Sequence, residues 1–507
     1  MFFFKQLNKN YFIYFILIFV FIPINFIPQL FDGVFIEYAY ETRDLGIVKV
    51  LYKEAGRHFH LFIIYLVYFL AKYTSLPAEI FLDNLLIVFL ILFCIEVKKY
   101  SKLFFGLETK WCNLAALFTA IFPAWHTLVD FDIGQYLISI YFLFFGFRNF
   151  ISPKKINIIV GLVFIVLSFN VESNLSLIVG LATIYLLLNK ANNTYDFSVS
   201  KLIIIIAISV AYYIMRYLYF SPSGLYENYN IVTWDMMSSN LTLTKLIKNI
   251  FNYSTYLLLY LWIPIIFFLH ILFINNKYSL KEKLHFKYNN NYFLLIILSG
   301  FAIFPYLLLN KSSSILYLSD YYQRHAFLLV PISGMFFSIM FRDMGKINCL
   351  QYKINLNFYL IIFICINLAL LNYGNYRKTE SYLFRSNLIQ ELKAFGTLPK
   401  GNVQFIGKNI PADFRVYELN HLLYKAYDIA GWWSTPFGFN ENEIFYPPSN
   451  LINNKKYSNY YISSEYKYEC NIYIYLKNDL KIIERLKQFY IFNYKNYYNI
   501  GKIVKKC

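Results

Sequence analysis

The sequence predicts an α-helical polytopic membrane protein with about 11 transmembrane helices, an external juxtamembrane helix in the first loop and a small C-terminal soluble α/β or α+β domain. Three observations predict it. The 507 residues are 58% hydrophobic and only 15% charged, with a mean hydropathy of +0.44, more apolar than a soluble globular core can absorb. Long apolar segments follow one another from Tyr11 to Asn372, each with the character of a membrane helix. Most of the Lys residues between them fall on the short loops of one side, as the positive-inside rule requires, if the acidic, Arg-containing loops face outward.

Lys5 and Lys9 put the N-terminus inside. The first segment, residues 11–28, is not followed by a small-residue cleavage site and reads as a retained helix. It exits into a polar loop carrying Asp32, Glu37, Glu41, Glu54 and Arg57. The apolar run at 61–70 is too short to span and is expected to lie at the interface or to re-enter. Were it to span, Lys98, Lys99 and Lys102 would face outward and every later loop would invert.

The remaining spans are expected at 80–97, 111–128, 135–147, 156–169, 175–188, 202–220, 253–273, 292–309, 327–341 and 357–371. This register keeps Lys98, Lys99, Lys102, Arg148, Lys154, Lys155, Lys281, Lys283, Arg342 and Lys346 inside. The formal charge of +18 is then accounted for by topology and a Lys/Asn/Ile-rich composition, and no nucleic-acid partner is implied. Residues 1–372 thus form a transmembrane domain and residues 373–507 an external one. In the latter, β-like runs at 403–406 and 471–475 alternate with helix-like ones such as 480–489. None of the six cysteines falls in a CxxC or metal spacing, and Cys470 with Cys507 is the pair placed to form a disulfide outside.

Carboxylates at the edge of a bilayer are costly to desolvate, which singles out Asp32, Asp130, Asp132 and Glu172 at the outer helix ends, with Glu54 in the first loop. The bland reading of any one of them is an interfacial acid in water. Arg324 and His325 stand just before a span, with Lys311 on the same loop and Arg57 on the first. A guanidinium fork at headgroup depth suits a lipid phosphate, although a single Arg near a helix end also snorkels without further role. HExxH, GxSxG and Walker-type patterns are absent from the sequence.

Asp32-Gly33, Glu37-Tyr38-Ala39, Gly46 and Gly56-Arg57-His58-Phe59, leading into an apolar juxtamembrane helix, resemble the first external loop of GT-C-type glycosyltransferases. These are the polytopic enzymes of the aminoarabinose and protein mannosyltransferase group. The run from Arg324-His325 to Val330-Pro331 resembles their Arg-aromatic/His-x-x-x-x-Pro stretch. The resemblance implies inverting transfer of a hexosyl or pentosyl unit from a polyprenyl-phosphate-linked donor to a glycan, lipid or protein acceptor on the external face. It implies Asp32 as catalytic base, aided by Asp130 or Asp132, and Arg324, His325, Lys311 and Arg57 at the donor phosphate. Where the family often pairs acids, this chain has Asp32-Gly33, so a divalent cation, Mg or Mn, stays open as a cofactor and no residue is assigned as its ligand. The expected setting is a bacterial cytoplasmic membrane and cell-envelope glycan biosynthesis. Two other readings share the layout. An O-antigen-type polymerase or ligase usually places its key groups in large late loops, and a lipid or solute transporter predicts ionisable residues at mid-membrane and a repeat between halves.

Overall fold

The computed structural model describes residues 33–41, 45–74, 76, 78–192, 199–223, 233–274, 290–317, 321–351, 356–396, 403–408, 416–427, 437–438, 444–445, 470–477 and 499–506. The first apolar segment and Asp32 lie outside them, as do Cys507 and the run at 480–489. The chain divides into two compact units, one of Met1–Phe26 and Val48–Asn375, the other of Ile27–Ile47 and Tyr376–Cys507.

The first unit is helical: α2 (Gly46–Glu54), α3 (His58–Thr74), α4 (Ala78–Phe105), α5 (Thr109–Ala120), α6 (Phe131–Phe150), α7 (Lys155–Ser168), α8 (Asn174–Asn192), α9 (Val199–Tyr219), α10 (Trp234–Asn240), α11 (Leu243–Ile274), α12 (Asn290–Leu308), α13 (Val330–Gln351) and the start of α14 (Leu356–Phe395) follow one another. The helix that precedes these, α1 (Gly33–Glu41), belongs to the second unit. Among the described residues five helices are long and apolar enough to cross a membrane, at Ile80–Phe105, Val199–Tyr219, Asn291–Leu308, Gln323–Gly345 and Leu356–Phe395. This is the character of an α-helical membrane-embedded protein.

Burial sorts the helices. The Gln323–Gly345 stretch is 89% buried among its neighbours, whereas only 11% of the α9 window is, and α9 turns Ile203, Val210 and Ile214 to the surface. An apolar surface of that kind suits lipid. The short run at 61–70 falls inside α3, a 17-residue helix. It buries Leu61, Ile63, Ile64 and Val67 while Phe62, Leu66 and Phe69 stay exposed, so it packs one apolar face and offers the other. Helices α6 and α7 cross closely because Gly146 and Gly161 meet: a Cβ on Gly161 would lie 2.7 Å from the Gly146 carbonyl oxygen, and small residues are what such contacts need.

The run at 111–128 is not one continuous helix. Helix α5 ends at Ala120, Phe122 is extended, and Pro123 opens a 3₁₀ turn, Pro123–Val129. Proline has no N–H to give to a continuing helix and fits a first turn. The freed Thr119 carbonyl accepts from the fully buried Trp125 indole, so the break is satisfied inside the protein. At the other end of the unit, α14 runs on past residue 371 to Phe395.

In the second unit α15 (Val416–Tyr427) and strands β1 (Val403–Lys408), β2 (Phe437–Gly438), β3 (Ile444–Phe445), β4 (Cys470–Lys477) and β5 (Asn499–Lys506) accompany α1 and the end of α14. The strands form one mixed sheet in the order β3-β2-β1-β4-β5. Strand β1 runs parallel to β2 and β4, and the outer pairs are antiparallel. Phe384, Leu388 and Leu392, spaced one helical turn apart on α14, join Phe405, Leu419, Leu423, Ile472 and Ile474 in a common core. The β-like runs at 403–406 and 471–475 lie within β1 and β4.

Candidate functional site

A cavity of about 200 Å³ opens in the first unit where the turns after α2, α7, α9 and α12 converge. Arg57, Glu172, Lys311 and His325 line it, and so does Arg216, which sequence reasoning did not single out.

Each of these side chains is placed by a local device. Helix α2 ends at Gly56 in the left-handed region (φ 70°), with the Arg57 N–H donating to the Tyr52 carbonyl at 2.8 Å. That is a glycine-terminated helix end. A Cβ at Gly56 would sit 2.5 Å from the Phe220 carbonyl oxygen and 3.7 Å from Cζ of Arg216, so the missing side chain lets the Arg57 turn approach the end of α9. Helix α12 ends in the same manner on Asn310 (φ 49°), a residue that tolerates this conformation. The Lys311 N–H donates to the Tyr306 carbonyl at 2.8 Å, and the Asn310 side-chain oxygen accepts from Asn249 at 3.0 Å.

Asn170, Glu172 and Ser173 come from the turn between α7 and α8. Asn174 ties that turn by donating to the Ser168 carbonyl at 2.8 Å. Asn170 hydrogen-bonds the buried His60 ring of α3, and Ser173 accepts from Tyr306 at 3.1 Å. His325 sits on the 3₁₀ helix Tyr321–Leu329, its ring 4.7 Å from that of Tyr306. The preceding residue but one, Gln323, is buried and bonded to Tyr256 and to the Ser314 carbonyl, which fixes the direction in which Arg324 and His325 leave the helix.

The electrostatics are lopsided. Glu172 forms an ion pair with Arg216 and is the carboxylate among the described lining residues, against Arg57, Arg216 and Lys311. Burial pushes the Lys311 ammonium down to about 8, with the positive Arg324 and Arg57 pushing the same way and Glu172 opposing them. Three cationic side chains thus meet one carboxylate among the described lining residues, a balance of charge that suits an anion. Tyr136, Tyr213, Tyr306 and Asn170 add hydroxyl and amide groups to the wall.

The other candidates fall elsewhere. Arg324 is half-buried and acts on Lys311 through its charge without lining the cavity. Asp130 is fully buried at the residue before α6, where its carbonyl accepts from the Ile133 and Gly134 N–H groups at 3.0 and 2.9 Å. That is the N-cap position of α6, one that Asp commonly takes. Glu54 is buried beside the cavity-lining Ala55 without lining the cavity itself, and its backbone carbonyl accepts from Ser223 at 2.9 Å. Asp32 and the side chain of Asp132 lie outside the described residues. Arg216 had a signal in the sequence: an arginine inside an otherwise apolar span-length run is a functional candidate by default. Comparison with protein-family models, with curated proteins and with solved structures gave no match.

Proposed function

We propose that the protein is a GT-C-type membrane glycosyltransferase that transfers a sugar, with inversion, from a polyprenyl-phosphate-linked donor to an acceptor on the external face of the membrane. The observation that carries this reading is the convergence of Arg57, Arg216, Lys311 and His325 with Glu172 on one cavity. The cationic Arg57, Arg216 and Lys311 at a partly dehydrated site suit a phosphate whose charge grows as it leaves the sugar, with His325 as a polar neighbour.

In this reading the acceptor hydroxyl attacks the anomeric carbon, a new C–O bond forms there, and the bond to the phosphate oxygen breaks. The electron pair leaves with polyprenyl phosphate, held by the arginines and Lys311. The hydroxyl proton passes to a carboxylate. Asp32 keeps the role the family resemblance gives it, and Glu172 is the carboxylate already in the cavity. The reading takes with it eleven spans, an inside N-terminus, an external tail and a bacterial cytoplasmic membrane. The acceptor is a glycan, a lipid or a protein.

The rival reading is a lipid or solute transporter, which predicts ionisable residues at mid-membrane, whereas Arg216 stands in the last turn of α9. One experiment separates the two. Radiolabelled sugar is offered on a panel of polyprenyl-phosphate donors to membranes carrying the wild-type protein, Asp32→Asn, Arg57→Ala or Arg324→Ala. Incorporation by the wild type that is lost in the variants supports the transferase; donor uptake without incorporation in any of them overturns it in favour of transport.

A further inference from the structure

Two helices of the second unit carry a charge arrangement that sugar transfer does not use. Glu37 and Glu41 stand one turn apart on α1, and His421 and Lys425 stand one turn apart on α15, so each pair shares a helix face. Lys425 is ion-paired to Oε1 of Glu37 and lies 3.2 Å from Oε1 of Glu41. His421 Nε2 lies 3.3 Å from Oε2 of Glu41. One ligand atom each from Glu37, Glu41 and His421 falls within 4.8 Å of the other two, a spacing that a small shift closes around a single ion.

Hydrogen bonding within the cluster leaves one group over. Glu37 is only 2% exposed, and while its Oε1 holds Lys425, its Oε2 is buried with no hydrogen-bond partner among the described residues. A carboxylate oxygen shut away from water without a donor is costly, and buried charges are ordinarily paired or bound to metal. Two carboxylates with Lys425 as the neighbouring ammonium retain a net negative charge while His421 is neutral, the form in which imidazole is a ligand.

We propose that Glu37, Glu41 and His421 form a binding site for a divalent cation that accepts both imidazole and carboxylate, of the Zn²⁺ or Mn²⁺ kind, which clips α1 to α15. Imidazole disfavours Mg²⁺ and Ca²⁺, which prefer all-oxygen shells. Lys425 is the tethered competitor for the same oxygens. Its ammonium is ion-paired to both carboxylates and must swing aside when the divalent ion enters. The proposal is independent of the glycosyltransferase reading.

The test uses tag-free full-length protein in detergent, stripped with a chelator and titrated with Zn²⁺ and with Mn²⁺, with metal content and binding heat as readouts. One ion per chain is expected. His421→Ala and Glu41→Gln should weaken binding at least tenfold, and Lys425→Met should tighten it several-fold by removing the competitor. A Co²⁺-loaded sample should show a visible absorption band that His421→Ala alters. Should His421→Ala fail to fold, Glu41→Gln, whose side chain is 35% exposed, decides in its place. Failure of both wild type and Lys425→Met to bind either ion would overturn the proposal, as would binding that Glu41→Gln leaves unchanged.

Discussion

Arg216 of α9 is ion-paired with Glu172 in the turn between α7 and α8, and both side chains line the cavity that Arg57, Lys311 and His325 also reach. Glu172 thus occupies the Arg216 fork that a phosphate would take, and an incoming phosphate frees the carboxylate while replacing its charge. Arg216→Ala is expected to lower kcat/KM for a polyprenyl-phosphate donor about 100-fold, near 3 kcal/mol. Arg216→Lys should recover only part of this, because an ammonium cannot bind in a bidentate fork. If the two residues act as a unit, the Arg216→Ala/Glu172→Gln double variant should depart from the sum of the single effects by about 1–3 kcal/mol in a kinetic double-mutant cycle. Strict additivity would mean that the pair is only a surface contact.

Lys311 gives the site a pH dependence with a definite sign. Its ammonium loses its proton near pH 8 in the free protein, pushed down by burial, then by Arg324 and Arg57. Below that pH it is a cation and contributes to holding an anion; above it the contribution falls away. Donor kcat/KM should therefore decline through pH 8 to 9. Lys311→Arg, which stays charged throughout, should carry the plateau to higher pH. A profile unchanged by Lys311→Arg would remove Lys311 from the phosphate-binding set.

Arg57, Glu172, Lys311 and His325 were legible in the sequence because each sits at the edge of an apolar run, where a charged or ionisable group stands out. Arg216 was hidden for the opposite reason: it lies inside the run that forms α9, and a span-counting eye passes over one charge in an apolar window. The break at Pro123 was lost in the same way, since hydropathy sums residues 111–128 without asking whether Phe122 continues the helix. In the second unit, strands β1 and β4 announced themselves as short β-like runs at 403–406 and 471–475. The Glu37–Lys425 contact did not, because it joins residues that the sequence separates by most of the chain.

Gly56 should be the most sensitive glycine near the site. It is left-handed at φ 70°, and a methyl group there would meet the Phe220 carbonyl at 2.5 Å. Gly56→Ala combines a left-handed penalty of about 1–2 kcal/mol with a backbone clash that can be relieved only by moving the Arg57 turn. Both consequences are measurable. The thermal midpoint should fall by a few degrees, and donor KM should rise about tenfold as Arg57 leaves its place, whereas Gly106→Ala, also at positive φ but with open space around it, should cost stability alone.

The β4/β5 ladder bears on where the tail resides. Asn471 pairs with Lys506, and Ile472 with Lys505, in an antiparallel register. Cys470 opens β4, and the sequence makes Cys507 the cysteine placed to pair with it in an external tail. Disulfides persist outside the cytoplasm and are reduced within it. An external tail therefore predicts that Cys470 and Cys507 resist alkylation in intact cells until a reductant is added, and that Cys470→Ser leaves Cys507 open to reagent. Ready labelling of both cysteines without reductant, once the membrane is permeabilised, would argue for a reduced compartment and hence for the inverted topology.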